Sequence, residues 1–164
     1  MSELRDLAQA IANRLVAIPE LQYTEVDVSL TPRVQPRADD TPRVIITPAA
    51  QTYKRVARDV VGEVTTVNIS VCAYIADAAD NNSEAVDYCL EVVPGIIKSL
   101  FADELETDGR LYHIEDVTCA GAAFNDTDAP VEGGLYDADA IADAFIYATT
   151  IVLTLKRYLK MTAG

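Results

Sequence analysis

The sequence predicts an α+β fold: an antiparallel or mixed β-sheet with two α-helices packed on one face, plus long loops and a hairpin. Three observations carry this. Two segments repeat apolar residues every three or four positions, as one face of a helix does. Two others alternate apolar and polar residues with the period of a strand. The helices are too few to serve as crossovers for an all-parallel sheet.

Ser2 is placed to cap a first helix, whose stripe is Leu4, Leu7, Ile11, Leu15 and Ile18. Pro19 ends it. Glu25 to Leu30 alternates as a strand, with Val26, Val28 and Leu30 on one side. Residues 31–42 hold Pro32, Pro36 and Pro42 among charges and read as a long loop, a kind of segment that often makes external contacts. Arg43 to Thr47 is expected as a short strand stopping at Pro48. Tyr53 to Glu63 is charged and Val-rich, with Gly62 as a turn or bulge point. The clearest strand follows: Val67, Ile69, Val71, Ala73 and Ile75 alternate with Thr66, Asn68, Ser70, Cys72 and Tyr74.

Asp80, Asn81, Asn82 and Ser83 offer caps for a second helix. Its stripe is Val86, Leu90, Val93, Ile97 and Leu100. Pro94-Gly95 inside that stripe predicts a kink or a break. Leu111 to Cys119 reads as a strand and Ala120 to Asp139 as an irregular connection. Phe145 to Leu155 is a long β-branched strand, and Arg157 and Lys160 fall in a basic, frayed tail. The terminal strand is apolar on both sides, with Ile146 and Val152 opposite Ile151 and Leu153. The helices cover one sheet face, so a partner subunit is expected over the other.

The chain has 164 residues, half of them hydrophobic and 24% charged, which fits one globular domain over residues 1–164. No apolar run reaches the roughly 18–20 residues of a membrane helix. The best candidate, Ile141 to Leu155, is interrupted by Asp143, Thr149, Thr150 and Thr154. No membrane partner is expected. Glu3, Arg5 and Asp6 stand where the apolar core of a secretory leader would begin, so none is expected.

The net charge of −13 is uneven. Between Asp77 and Asp143 lie seventeen acids and two bases, Lys98 and Arg110. Six of the thirteen bases fall between Arg33 and Arg58. This balance argues against sequence-specific duplex binding, which needs a basic footprint. Arg33, Arg37, Arg43, Lys54, Arg55 and Arg58 are the candidate contact residues. Only Tyr53 is near them to stack on a base, so a solvated loop or salt bridges to an acidic neighbouring subunit is the better reading.

Catalytic chemistry finds no support. A Ser-His or Cys-His nucleophile would have to use His113, which lies in the strand-like run Tyr112-His113-Ile114-Glu115. The seven glycines form no phosphate-cradling motif. Cys72, Cys89 and Cys119 make no CxxC pair and read as buried thiols, with no zinc site. Asp77, Asp80 and Glu84, and again Asp137, Asp139 and Asp143, lack the glycine and bidentate glutamate of a calcium loop. Paired acids for glycoside hydrolysis would want stacking aromatics, and tryptophan is absent. No catalytic, cofactor-binding or metal-binding residue is assigned, and no cofactor is expected.

The order of these features resembles the tail-terminator proteins of long-tailed bacteriophages, over nearly the full chain. The resemblance rests on the amphipathic helix Leu4 to Ile18, the proline-rich loop and the strand Val44-Ile45-Ile46-Thr47-Pro48. It continues through the charged hairpin Tyr53-Lys54-Arg55-Val56-Ala57-Arg58-Asp59 and the alternating strand to Ile75. Leu135-Tyr136-Asp137 and the terminal strand closing on Leu155-Lys156-Arg157-Tyr158 complete it. Pro94-Gly95 departs from the pattern and puts the geometry of the second helix in question.

The resemblance implies a homo-oligomer, a hexameric ring at the head-proximal end of the tail. Such a ring stops polymerisation of the tail tube protein and presents a surface to head-completion or connector proteins. Its site is the virion neck, after assembly in the host bacterial cytoplasm. Genomic DNA would pass through the lumen without specific binding, helped by an acidic lining from residues 77–143. The loop from Thr31 to Pro42 would dock a neighbouring ring. Another neck or tail-completion protein is the nearest alternative, and a small acidic enzyme or a binding module the alternative from another class.

Overall fold

Ser2 sits in an extended conformation, and its Oγ accepts a hydrogen bond from the Arg5 N–H at 3.3 Å. That cap satisfies one of the orphan donors of helix α1, Glu3–Val16. Glu3 and Asp6 lie in its first turn and Arg14 in its last, each favoured by the helix dipole. Leu7, Ile11 and Leu15 are fully buried. Such burial contributes roughly 1.5–3 kcal/mol per side chain. Pro19 opens a short 3-10 turn, Pro19–Leu21, and the helix stops as expected.

The remaining elements of this computed structural model are β1 (Glu25–Val28), β2 (Arg43–Ala57), β3 (Val60–Tyr74), α2 (Glu84–Leu100), β4 (Glu104–Thr107), β5 (Arg110–Cys119) and β6 (Ile146–Lys160). It describes residues 2–31, 42–74, 84–100, 104–119 and 146–161. The six strands form one sheet in the order β1-β2-β3-β6-β5-β4. β1 and β2 are parallel and every other pair is antiparallel. The fold is α+β with a mixed sheet. The expected loop over 31–42 and the connection over Ala120 to Asp139 lie almost wholly outside the described residues, as do the expected caps Asp80 to Ser83.

Both helices share one core with one sheet face. Successive rungs of that face pair Val44 with Val71, Ile46 with Ile69, Ile69 with Ile151 and Val67 with Leu153. From α2, Cys89, Val92, Ile96 and Leu100 close onto it. The opposite face is only partly open. Ile45, Thr47 and Cys72 are buried there, so the chain itself covers part of a face that the sequence reading left to a partner. The rest of it is hydroxyl-rich and half-buried: Thr66, Asn68 and Ser70 lie beside Thr150, Val152 and Thr154.

Four expectations are corrected. First, β2 does not stop at Pro48; it continues to Ala57. The Ile46 carbonyl accepts from the Ser29 N–H at 2.9 Å, so even-numbered positions there face β1. Pro48 faces the same way, just past the last rung of β1, where its missing N–H breaks no ladder bond. A register shift follows between Pro48 and Ala50. Second, β4 was not anticipated. Asp108 and Gly109, with φ of 51° and 76°, turn it into β5. Two successive positive φ values match the primed hairpin turn that Asp-Gly favours.

Third, of the kink or break expected at Pro94 the break is absent: α2 continues through it to Leu100. Gly95 has a packing reason: a Cβ there would lie 3.1 Å from the Glu20 Cβ. The α2 backbone therefore passes close to the Pro19–Leu21 turn. Fourth, β6 extends to Lys160 with no frayed basic tail before it, paired rung for rung with β3. The Met161 N–H then donates to the Asp59 carbonyl at 2.6 Å.

Candidate functional site

The β2–β3 hairpin and the end of β6 build a three-stranded ribbon running past the helix-covered core. Its turn lies at Arg58–Asp59, between the paired Ala57 and Val60. Gly62, expected as the turn or bulge point, is a strand residue paired with Lys54 and Tyr158. It leaves room for the Val56 side chain, whose Cγ2 would lie 3.2 Å from a Cβ at this position. Val56 is the extra residue of a second register shift.

The structure brings together three of the six candidate contact residues. Lys54, Arg55 and Arg58 are exposed on the ribbon, near Lys160 of β6. Among them stand large exposed apolar side chains: Tyr53 at 59%, Val56 at 57%, Tyr158 at 54% and Met161 at 56%. Arg43 lies elsewhere, half-buried, its Nε 2.7 Å from Asp27 Oδ2 on β1. Arg33 and Arg37 lie outside the described residues. Lys156 sits over the Tyr158 ring, 5.2 Å from its centroid, with Glu115 Oε1 3.7 Å away. Its contacts with Tyr158, and then with Glu115, raise its pKa above the ordinary lysine value.

At the base of the ribbon lies a charged cluster that the sequence reading missed. Glu63 and Arg157 face each other across β3 and β6. Arg157 Nη2 donates to Glu63 Oε2 at 3.1 Å and to Glu3 Oε2 at 2.7 Å. Its guanidinium stacks over Tyr112, 5.0 Å from the ring centroid. Arg110 joins from β5, with Nε 3.4 Å from Glu3 Oε1 and Nη1 3.8 Å from Asp6 Oδ2. The Glu63 side chain is only 2% exposed and that of Arg157 10%. Burial opposes the Arg157 charge, but its hydrogen bonds to Glu3 and Glu63 outweigh that and raise its pKa. The hydrogen bond from Arg157 holds the Glu3 carboxyl below its ordinary value. Burial raises the Tyr112 hydroxyl. The cluster clamps the N-terminus of α1 to the middle of the sheet.

The two sheet edges differ in sign. β1 covers β2 only from Arg43 to Ile46, and among the described residues no strand covers it beyond. That bare edge carries Lys54 and Arg55 and leads to Arg58. At the other end, β4 covers β5 from Arg110 to His113, and among the described residues the outer edge is β4 and then β5 itself. Glu104, Glu106, Asp108, Glu115 and Asp116 are exposed along it. Arg110 there is engaged by Glu3, Asp6 and Asp108.

The other candidates disperse. His113 is half-exposed, with Nδ1 3.8 Å from Glu104 Oε1. Cys72 and Cys89 are buried, and burial pushes the Cys89 thiol up to about 12, the charge of Cys72 adding to the effect. Among the described residues, no cluster of His, Cys, Asp or Glu could hold a metal ion. An open depression of about 470 Å³ lies between α1 and α2, lined by Arg14, Ile18, Glu20, Gly95 and Lys98 among others. No described helix is long and apolar enough to cross a membrane.

No protein-family model matches the chain, and no curated protein matches it. One similar solved structure, known by a sequence designation alone, covers 97% of this chain and 93% of its own at 14% identity and a TM-score of 0.38. A likeness that loose carries no functional argument.

Proposed function

We propose that the chain is a structural virion protein. Its copies form a ring, six in number, that caps the head-proximal end of a bacteriophage tail tube, stops tube growth and receives the head-completion proteins. The role is geometric, and in this reading no residue is catalytic and no cofactor is needed. The observation that carries it is the ribbon of β2, β3 and β6. It projects the exposed Tyr53, Val56 and Tyr158, with Met161 just past its end, together with a set of bases. Exposed aromatic and apolar residues amid basic ones are the composition of a protein contact.

The two oppositely charged edges support the reading as well. A surface patch that fits a different patch on the next copy generates a ring when its rotation closes. Tube capping would use the faces of that ring, and DNA would pass through its centre without specific binding.

The test is light scattering across a range of protein concentrations, with negative-stain imaging. The expected result is an annular particle near six times the 17.8 kDa chain mass. Added to polymerising tail-tube subunits of the same phage, the protein should halt growth at one end. A strict monomer that leaves tube growth unchanged would overturn the proposal.

A further inference from the structure

We infer that copies of this chain join head to tail by the edges of their sheets: the bare basic edge of β2, residues 50–57, lies along the acidic β4–β5 edge of the next copy. The inference rests on the assembly reading above and names the contact that builds it.

The backbone argument comes first. A strand paired on one side turns alternate N–H and C=O groups outward, and an uncovered run of them is a template for another strand. Among the described residues, β2 offers such a run after Pro48, and β5 offers one after His113, continuing from the outer side of β4. Both runs belong to one sheet and lie at its opposite ends. Adding a second copy at one edge therefore leaves the other edge free for a third.

Charge then selects which edges meet. Lys54, Arg55 and Arg58 repel the same edge of another copy, so two β2 edges do not pair. Glu104, Glu106, Asp108, Glu115 and Asp116 likewise repel their own kind. Of the edge contacts, only the unlike pair attracts, which favours the head-to-tail contact over a two-fold dimer through like edges. Apolar residues at each edge add the area that charge alone does not provide. Tyr53 and Val56 are more than half exposed on the basic side, and Leu111 is 43% exposed on the acidic side. The short length of β4 and the absent donor at Pro48 limit the shared ladder to a few rungs.

Charge reversal tests this directly. Lys54→Glu with Arg55→Glu makes both edges acidic; Glu104→Lys with Glu106→Lys, which leaves Asp108, Glu115 and Asp116, cancels most of the acidic edge's charge and makes β4 itself repel the basic one. All four positions are exposed, and circular dichroism melts verify folding of each variant. Light scattering is expected to show each double variant alone associating at least roughly tenfold more weakly than the wild type. Their equimolar mixture, and the chain carrying all four changes, should regain the wild-type mass. Raising salt should weaken the wild-type assembly as well. A ring that survives either double variant unchanged overturns the edge contact and leaves the ring reading standing. A mixture that fails to recover also overturns it. A wild-type chain that stays monomeric overturns the edge contact, and one that also leaves tube growth unchanged overturns both readings.

Discussion

Along the sheet face that meets the helices, β3 and β6 run from one regime to another. Ile69 pairs with Ile151 and Val67 with Leu153; then Thr65 meets Leu155, Glu63 meets Arg157, and Val61 meets Leu159 beyond. The first rungs are held by apolar burial under α1 and α2. The last lie on a ribbon that the helices do not reach. Between them a single ion pair marks the border. Apolar packing tolerates repair, because neighbours can relax into a gap. A buried charge tolerates none, because removing one partner strands the other.

That contrast can be broken at its border first. Arg157→Ala leaves Glu63 buried without its cation and leaves Arg110 alone to hold Glu3 at the start of α1. It should lower stability by roughly 3–5 kcal/mol in urea unfolding. Replacing both members, Glu63→Leu with Arg157→Met, should bring stability back to the wild-type value or above it, since an apolar pair avoids desolvating two ions. A single loss below about 1 kcal/mol would show that the cluster is not the clamp described. In the helix-covered half, Ile69→Ala should cost about 2–5 kcal/mol through lost transfer energy and a cavity. On the ribbon, Thr52→Ala should stay within about 0.5 kcal/mol. Equal losses at the two sites would erase the distinction.

The smallest effect is electrostatic. Glu3 titrates below its ordinary value of 4.5 because Arg157 stabilises its charged form. A depressed carboxylate contributes stability above its unfolded pKa and loses it as pH falls through the folded one. Stability should therefore drop between about pH 5 and 3 more steeply in the wild type than in Glu3→Gln. With Glu3 53% exposed, the difference should match an exposed ion pair, up to about 1 kcal/mol. Parallel acid-denaturation curves would remove Glu3 from the clamp.

The same border separates what the sequence discloses from what it hides. α1 is legible because Leu7, Ile11 and Leu15 share a stripe and because Ser2 and Pro19 punctuate it. The core face of β3 is legible because Val67, Ile69, Val71 and Ala73 alternate. β4 was discoverable too: Asp108-Gly109 is a hairpin signal, obscured by the shortness of the strand before it. Pro48 misled because a proline stops a strand only where its N–H is required, and strand neighbours are a tertiary fact. The exposed bases of the hairpin were readable as Lys54, Arg55 and Arg58. The cluster beneath them was not. Glu63 and Arg157 meet through the β3–β6 register, and nothing local to Arg157 distinguishes it from a basic tail residue.

The β3–β6 pairing also governs how the chain folds. Its rungs join residues roughly seventy to a hundred positions apart, from Tyr74 with Ile146 to Val60 with Lys160. The β2–β3 and β4–β5 hairpins close over two-residue turns and can form early. The centre of the sheet must wait for a long loop to close, and such non-local contacts slow folding. Until β6 arrives, β3 presents its own unsatisfied edge to other chains. Crowded newly made copies are thus exposed to mispairing during that interval. Loop-closure entropy rises only by about 0.6 kcal/mol per doubling of length. The span before β6 can therefore lengthen at little thermodynamic expense, while the folding rate carries the burden.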